Sequence, residues 1–246
     1  MPETTCPPCF TSQIKGLTLK LVLTNDDGYT APGLAALIEV TARLGQVIVV
    51  APINAQSGVG HQVSMKTPLR VERAAKPNHY MVHGAPADCT RLALKEIAPD
   101  ADWVLAGINQ GANLGSDVYQ SGTVAAAREA AILGKKSIAV SQYIAPEWRI
   151  DWEAAVRYLS SILPLVMNEP LAPGLFWNIN LPSPITTDSG VNWQCGPLDK
   201  NPHKYRYRRD GDLYHYEGVI HDRPRAAGSD VDICFRGNVS ITRVEI

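Results

Sequence analysis

Short apolar runs alternate along this chain with stretches in which apolar residues recur at helical spacing. Leu19–Thr24 (LKLVLT) is the first run and ends in Asn25-Asp26-Asp27-Gly28, the form of a buried strand and its loop. Pro32 then stands where a helix can begin, Leu34, Leu37, Ile38 and Leu44 follow at helical intervals, and Gly45 is read as the stop. A second apolar strand spans Val47 to Ala51. The grammar repeats with a helix from about Ala85 to Ile97, a strand over Trp103 to Ala106 and a Gly/Asn-rich loop. It continues with a helix from about Thr123 to Leu133 stopped by Gly134, a strand over Ser137 to Ser141, a helix near Asp151 to Val166 and a strand near Leu175 to Leu181.

Strands joined through helices make parallel sheets with helices on both faces, so this pattern predicts a three-layer α/β/α fold with a mostly parallel sheet. Beyond Pro182 the pattern changes. Pro, Gly and aromatic residues dominate, residues 208–212 (RRDGD) read as a hairpin turn between aromatic-rich strands, and Val239 to Val244 alternates like a strand returning to a sheet. The expected division is an N-terminal extension over residues 1–18, expected to be flexible, an α/β catalytic core over 19–182, and a C-terminal β-rich arm with a returning strand over 183–246.

With 246 residues and 45% hydrophobic content the chain can bury a full core. Its formal net charge of −1, without a long basic block, argues against polymeric nucleic acid as a partner. Neither a signal peptide nor a run of about 20 apolar residues is seen, so a cytoplasmic protein with no membrane partner is expected. The cysteines at 6, 9, 89, 195 and 234 are odd in number and scattered, which predicts free thiols. Cys6-x-x-Cys9 lacks a second ligand pair and is assigned no role.

In open α/β sheets ligands bind beyond the carboxyl ends of the strands. Three loops there are rich in small oxygen-bearing residues: Asn25-Asp26-Asp27-Gly28, Asn54-Ala55-Gln56-Ser57-Gly58, and residues 107–113 (GINQGAN). Adjacent carboxylates repel unless a cation lies beside them, and a hard ion such as Mg²⁺ or Mn²⁺ meets that need. The simpler reading of Asp26 and Asp27 is an Asx turn capping the next helix. Ser57 and Asn109 are neutral oxygen donors able to complete a coordination shell. Ser121-Gly122-Thr123 precedes an Ala-rich helix and reads either as a phosphate-binding helix start or as a plain N-cap.

Four segments together carry a resemblance: LVLTNDDGYTAPGL (21–34), VAPINAQSGVGH (50–61), GAPADCTRLAL (84–94) and GINQGANLGSDVYQSGTVAAAREA (107–130). In order and spacing they resemble the signatures of the SurE nucleotidases. The resemblance implies a Rossmann-like α/β/α core, one divalent ion per subunit, Mg²⁺ or Mn²⁺, and hydrolysis of nucleoside 5′- and 3′-monophosphates, with short polyphosphate as a further substrate. It implies metal ligation by Asp26, Asp27, Ser57 and Asn109, with Asp26 and Asp27 catalytic. It also implies a phosphate pocket of Asn25, Asn113, Ser121, Gly122 and Thr123, and homodimers or homotetramers built through C-terminal arms. Either acid can serve as general base or as nucleophile, and His61 is a candidate proton donor.

Other readings remain open from the residues. A haloacid dehalogenase-type phosphatase also puts an acid after strand one, but spaces two acids as D-x-D. A phosphoacceptor receiver needs a third Asp and a Lys that the later strand ends do not supply. A dinucleotide-binding module needs a G-x-G-x-x-G that the first loop lacks. A non-hydrolytic nucleotide sensor on the same scaffold is the remaining alternative.

Overall fold

The computed structural model describes residues 19–184, 190–218 and 220–246. Residues 1–18, with the Cys6/Cys9 pair and the predicted extension, lie outside the described residues. The first half contains β1 (Leu19–Thr24), α1 (Pro32–Thr41), β2 (Gly45–Pro52), β3 (Val71–Arg73), β4 (His79–Val82), α2 (Pro86–Leu92), β5 (Trp103–Gln110) and α3 (Gly122–Ile132). The second contains β6 (Lys136–Gln142), α4 (Trp152–Asn168), β7 (Leu175–Leu181), β8 (Trp193–Cys195), β9 (Tyr207–Asp210), β10 (Leu213–Tyr216), α5 (Asp230–Phe235) and β11 (Val239–Glu245).

Nine strands form one sheet in the order β3-β4-β2-β1-β5-β6-β7-β11-β8. Strands β4, β2, β1, β5, β6 and β7 run parallel, and β11 is antiparallel to β7. Alternate residues of β1 serve opposite faces. Leu21 and Leu23 pack with Leu34 and Leu37 of α1 and Leu159 and Ile162 of α4, while Val22 packs with Cys89 in the middle of α2 and Ala130 of α3. Burial on both faces is why this strand reads as an unbroken apolar run. The result is the expected three-layer α/β/α architecture. After β1 the chain crosses to β2 on one side, and it later returns to β5 on the other. The crevice of such a sheet opens where the crossing direction reverses, beyond the ends of β1 and β5.

Three readings change in detail. Gly45 is not the stop of α1. The helix ends at Thr41, whose hydroxyl donates to the Leu37 carbonyl at 2.7 Å, and Gly45 opens β2, where a Cβ would stand 2.0 Å from the Leu19 carbonyl oxygen. β5 does not end at Ala106 but continues to Gln110 through a register shift against β6 between Ala106 and Asn109. Gly107 makes that shift possible, since a Cβ there would meet the Val140 carbonyl at 2.3 Å. The predicted turn over 208–212 narrows to Gly211-Asp212, with Gly211 at φ +59° and residues 208–210 inside β9. Strands β3, β4 and β8 and helix α5 are short elements that periodicity did not reveal.

The remaining elements keep close to their predicted bounds. Asp151 caps α4 by accepting from the Ala154 N–H at 2.9 Å, and Gly134 follows α3 at φ +76°. The predicted helix from 85 is α2 continued by a π-helical turn over Ala93–Ile97. Val239–Glu245 does rejoin the sheet, as the strand between β7 and β8. No disulfide forms among the described residues, where Cys89 and Cys234 are buried thiols. Among those residues no helix is long and apolar enough to cross a membrane.

Candidate active site

The loop after β1 is held by backbone contacts to the loop after β2. Tyr29 N–H donates to the Pro52 carbonyl at 2.7 Å and Gln56 N–H to the Asp26 carbonyl at 2.6 Å. Gly28, at φ +97°, allows this approach, because a Cβ would lie 3.1 Å from the Ala55 nitrogen. Asn25 spans the turn by donating its side-chain amide to the Gly28 carbonyl at 2.8 Å. Its Oδ1 is buried and has no partner among the described residues.

Asp26 and Asp27 diverge from this turn onto different supports. Asp26 reaches the start of α3, where the Thr123 hydroxyl donates to Oδ1 at 2.5 Å and the Thr123 N–H to Oδ2 at 3.2 Å. Gly122 makes room, since a Cβ would come within 3.0 Å of the Asp26 Cβ and 3.1 Å of Oδ2. Asp27 turns to the end of β5 and accepts from Gln110 N–H through Oδ2 at 3.0 Å. Asp26 is buried and Asp27 half-buried. Burial pushes both carboxyls above their ordinary range. For Asp26 the Thr123 hydroxyl opposes that rise and the neighbouring Asp27 charge adds to it, while for Asp27 the Gln110 N–H opposes it. Among the described residues neither acid has a Lys, Arg or His partner, and no three His, Cys, Asp or Glu side chains cluster.

The other sequence-derived residues divide into two groups. Asn109 precedes Gln110, is half-buried, and donates its side-chain amide to the Gly111 carbonyl at 2.8 Å, which turns its oxygen away from that bond. Ser57 follows Gln56 and is exposed. Ser121 caps α3, its hydroxyl oxygen accepting from Val124 N–H at 3.0 Å, and so the plain cap reading is realised at that atom. Gly122 begins the helix with an N–H that no intrahelical carbonyl reaches. These residues and the acid pair meet beyond the ends of β1, β2 and β5. The Asn113 side-chain amide donates to Ser141, the register partner of Asn109 on β6, at 2.8 Å, while its backbone joins Asn178 and Asn180 of β7. His61 lies along the side of α3, 2.7 Å from Glu129, which also binds Arg91 at 2.6 Å.

Sequence reading missed the supports of the loop between Asn113 and Gln120. Asp230 accepts from Gly115 N–H at 2.7 Å, and Arg223 reaches Asp117 at 2.6 Å and the Leu114 carbonyl at 3.1 Å. These partners stand more than a hundred residues away in sequence, so no local signal marks them. The Gln110 N–H was nearer to hand, one position past Asn109, but a backbone donor carries no residue signature.

Comparison with known proteins places this arrangement. Residues 21–200 match the family described as Survival protein SurE. A protein of Nostoc sp. (strain PCC 7120), alr3139, is 44% identical over 230 residues, which covers 93% of this chain and all of that one. The 5′-nucleotidase SurE of Geotalea uraniireducens is 36% identical over 239 residues, 93% of each chain. The crystal structure of the SurE protein from Aquifex aeolicus superposes with a TM-score of 0.81 at 33% identity, covering 92% of this chain and 93% of that one. Sequence and architecture agree over nearly the whole length, and the chain belongs to the SurE family.

Proposed function

We propose that this protein is a divalent-metal-dependent phosphomonoesterase that hydrolyses nucleoside 5′- and 3′-monophosphates to nucleoside and phosphate, with short polyphosphate as a further substrate. Relatives named 5′-nucleotidase SurE support this reading. The observation that carries it is a pair of adjacent carboxylates with no cationic side chain beside them among the described residues, Asp26 braced against the start of α3 and Asp27 against the end of β5. An all-oxygen donor set of Asp26, Asp27, Asn109 and Ser57, with the Asn25 Oδ1 that has no partner among the described residues, suits a hard ion such as Mg²⁺ or Mn²⁺. Bound there, such an ion supplies Lewis acidity toward the phosphoryl group.

The chain's own residues have separable tasks in this reading. Thr123 fixes Asp26 through two hydrogen bonds, and Gln110 fixes Asp27 through one. Both Asp26 oxygens are engaged, whereas the described bond to Asp27 uses only Oδ2. Asp27 is therefore the acid assigned to accept the proton of the attacking water. The Ser121 hydroxyl and Gly122 N–H hold phosphoryl oxygens, with the positive end of α3 behind them. Asn25 keeps the turn closed beneath the acids.

Phosphate release from AMP is expected to vanish after chelation and return with Mn²⁺ or Mg²⁺. Undiminished turnover in the chelator-treated protein rejects the metal role. Acid-quenched reactions with labelled substrate are expected to hold no phospho-protein, and a stable phospho-aspartate would reassign Asp27 as nucleophile. We assign the protein to the cytoplasm.

The β9–β10 hairpin is read as an arm joining copies into a homodimer or homotetramer. All its strand residues are exposed, Tyr207, Leu213, Tyr214 and Tyr216 among them, and a lone two-stranded ribbon is marginal in water. Light scattering is expected to give an oligomer that Tyr207→Ser with Tyr214→Ser weakens. A monomeric wild type ends that assignment.

A further inference from the structure

Gln120 immediately precedes Ser121, the cap of α3, so its Cα lies about 3.8 Å from that of the residue assigned to hold phosphate. Two exposed aromatic rings flank this position. Tyr119 is its chain neighbour and is 68% exposed. Tyr205, 51% exposed, receives a hydrogen bond on its hydroxyl from the Gln120 side-chain amide at 3.1 Å. The residue 57–60 loop joins the same place, since Gly60 N–H donates to the Gln120 carbonyl at 3.1 Å.

Scattered surface tyrosines are ordinary, but these two are held from behind. The Tyr205 ring stacks on His203 with centroids 5.1 Å apart and planes at 16°. His203 is fixed in turn by Asp117 at 3.0 Å and by the Arg223 guanidinium at 3.3 Å, and Arg223 is buried against Asp117. Tyr119 lies under the Arg128 guanidinium, 5.7 Å from its ring centroid, and Arg128 is anchored on the Val118 carbonyl at 2.6 Å. Side chains braced in this way have less rotamer freedom left to lose, so stacking on them carries a smaller entropic cost.

We propose that Tyr119 and Tyr205 form the platform on which the nucleobase of the substrate stacks, with purines preferred over pyrimidines, an inference that rests on the nucleoside monophosphate reading above. A phosphate held at Ser121 and Gly122 leaves the base one sugar away, within the span of these neighbouring residues. Every base presents a π-face to such a platform, and the larger purine face covers more of it. The platform discriminates by the presence and size of the base and leaves phosphoryl chemistry to the acid pair.

The test uses the full-length protein with Mn²⁺ and compares AMP, UMP and ribose 5-phosphate in the wild type, Tyr119→Ala, Tyr205→Ala and Tyr205→Phe. The wild type is expected to favour AMP over ribose 5-phosphate by about tenfold or more in kcat/KM, and over UMP by a smaller factor. Each alanine variant is expected to lose most of that preference through KM, while Tyr205→Phe keeps it. Equal losses on AMP and ribose 5-phosphate, or a wild type indifferent to the base, would overturn the platform. Should Tyr205→Ala fail to fold, Tyr119→Ala still decides. Calorimetric titration separates the two readings. Tighter binding of AMP than of ribose 5-phosphate, with no phosphate released from either, sustains the platform and rejects the hydrolytic function.

Discussion

The protein treats two pairs of aspartates differently, Asp26 with Asp27 after β1 and Asp199 with Asp230 in the C-terminal region. Asp199 accepts from Asn201 N–H at 2.7 Å, Ala226 N–H at 2.7 Å, the Ser229 hydroxyl at 2.6 Å and the Asn201 side chain at 2.9 Å. Burial would raise its carboxyl, but these donors outweigh burial and hold it below the ordinary range. Asp230 accepts three backbone N–H groups, from Gly115, Asp199 and Val231, although burial still pushes it up. Asp26 and Asp27 share three donor contacts between them and repel one another. The C-terminal pair spends its charge on the fold. The pair after β1 keeps charge in reserve, which stabilises little by itself and leaves acceptor capacity for something brought from outside.

Substitutions should pull these pairs apart. The largest effect belongs to Asp27→Asn, expected to lower kcat/KM for AMP on the order of a thousandfold or more while circular dichroism stays that of the wild type. Near-normal turnover would erase the distinction between the pairs. Next comes Gly122→Ala, whose new Cβ presses on Asp26 and Pro86 and is expected to cost roughly tenfold to a hundredfold in kcat. A variant with full kcat would show that Asp26 tolerates displacement.

Asp199→Asn is expected to do the reverse, lowering stability by roughly 1–3 kcal/mol because buried donors lose their acceptor, with kcat/KM of the folded protein within a few-fold of the wild type. Its pH dependence carries a sign. A carboxyl depressed in the folded state contributes stability that is present above the unfolded value of about 3.9 and is lost as pH falls through the folded value. Denaturation midpoints of wild type and Asp199→Asn should therefore converge in acid.

Metal-free Asp27 tilts the other way. Its raised carboxyl makes ionisation costly above the folded value and costless below about pH 4. Chelated Asp27→Asn should then match or exceed the wild type in melting temperature at pH 7. A clear fall in that measurement would mean that Asp27 is a structural acid like Asp199.

The acid pair was legible in the sequence because LKLVLT is buried on both faces, so its continuous apolar run marks the strand and its end. Asn109 was found through the glycines around it, although it lies within a bulged strand and not in a loop. Ser121 was recognised as a helix start, but sequence could not tell that Thr123 gives its hydroxyl and N–H to Asp26. Asn113 shows the limit more sharply. Its residue type suited a polar pocket, but sequence could not tell that its amide donates to Ser141 or that its backbone is held by Asn178 and Asn180 of β7. The strands β3 and β8 are three residues long, too short for alternation to register, and pair only because neighbours offer them an edge.

One detail of the sheet bears on how the molecule comes into being. The last strand in the chain, β11, lies inside the sheet, pairing with β7 on one side and β8 on the other. During synthesis the strands from β1 to β7 can assemble in turn, yet β7 lacks its β11 partner until residues 239–245 leave the ribosome. That edge is the nascent protein's exposure to wrong pairing, and a chain that loses residues 239–245 keeps it permanently.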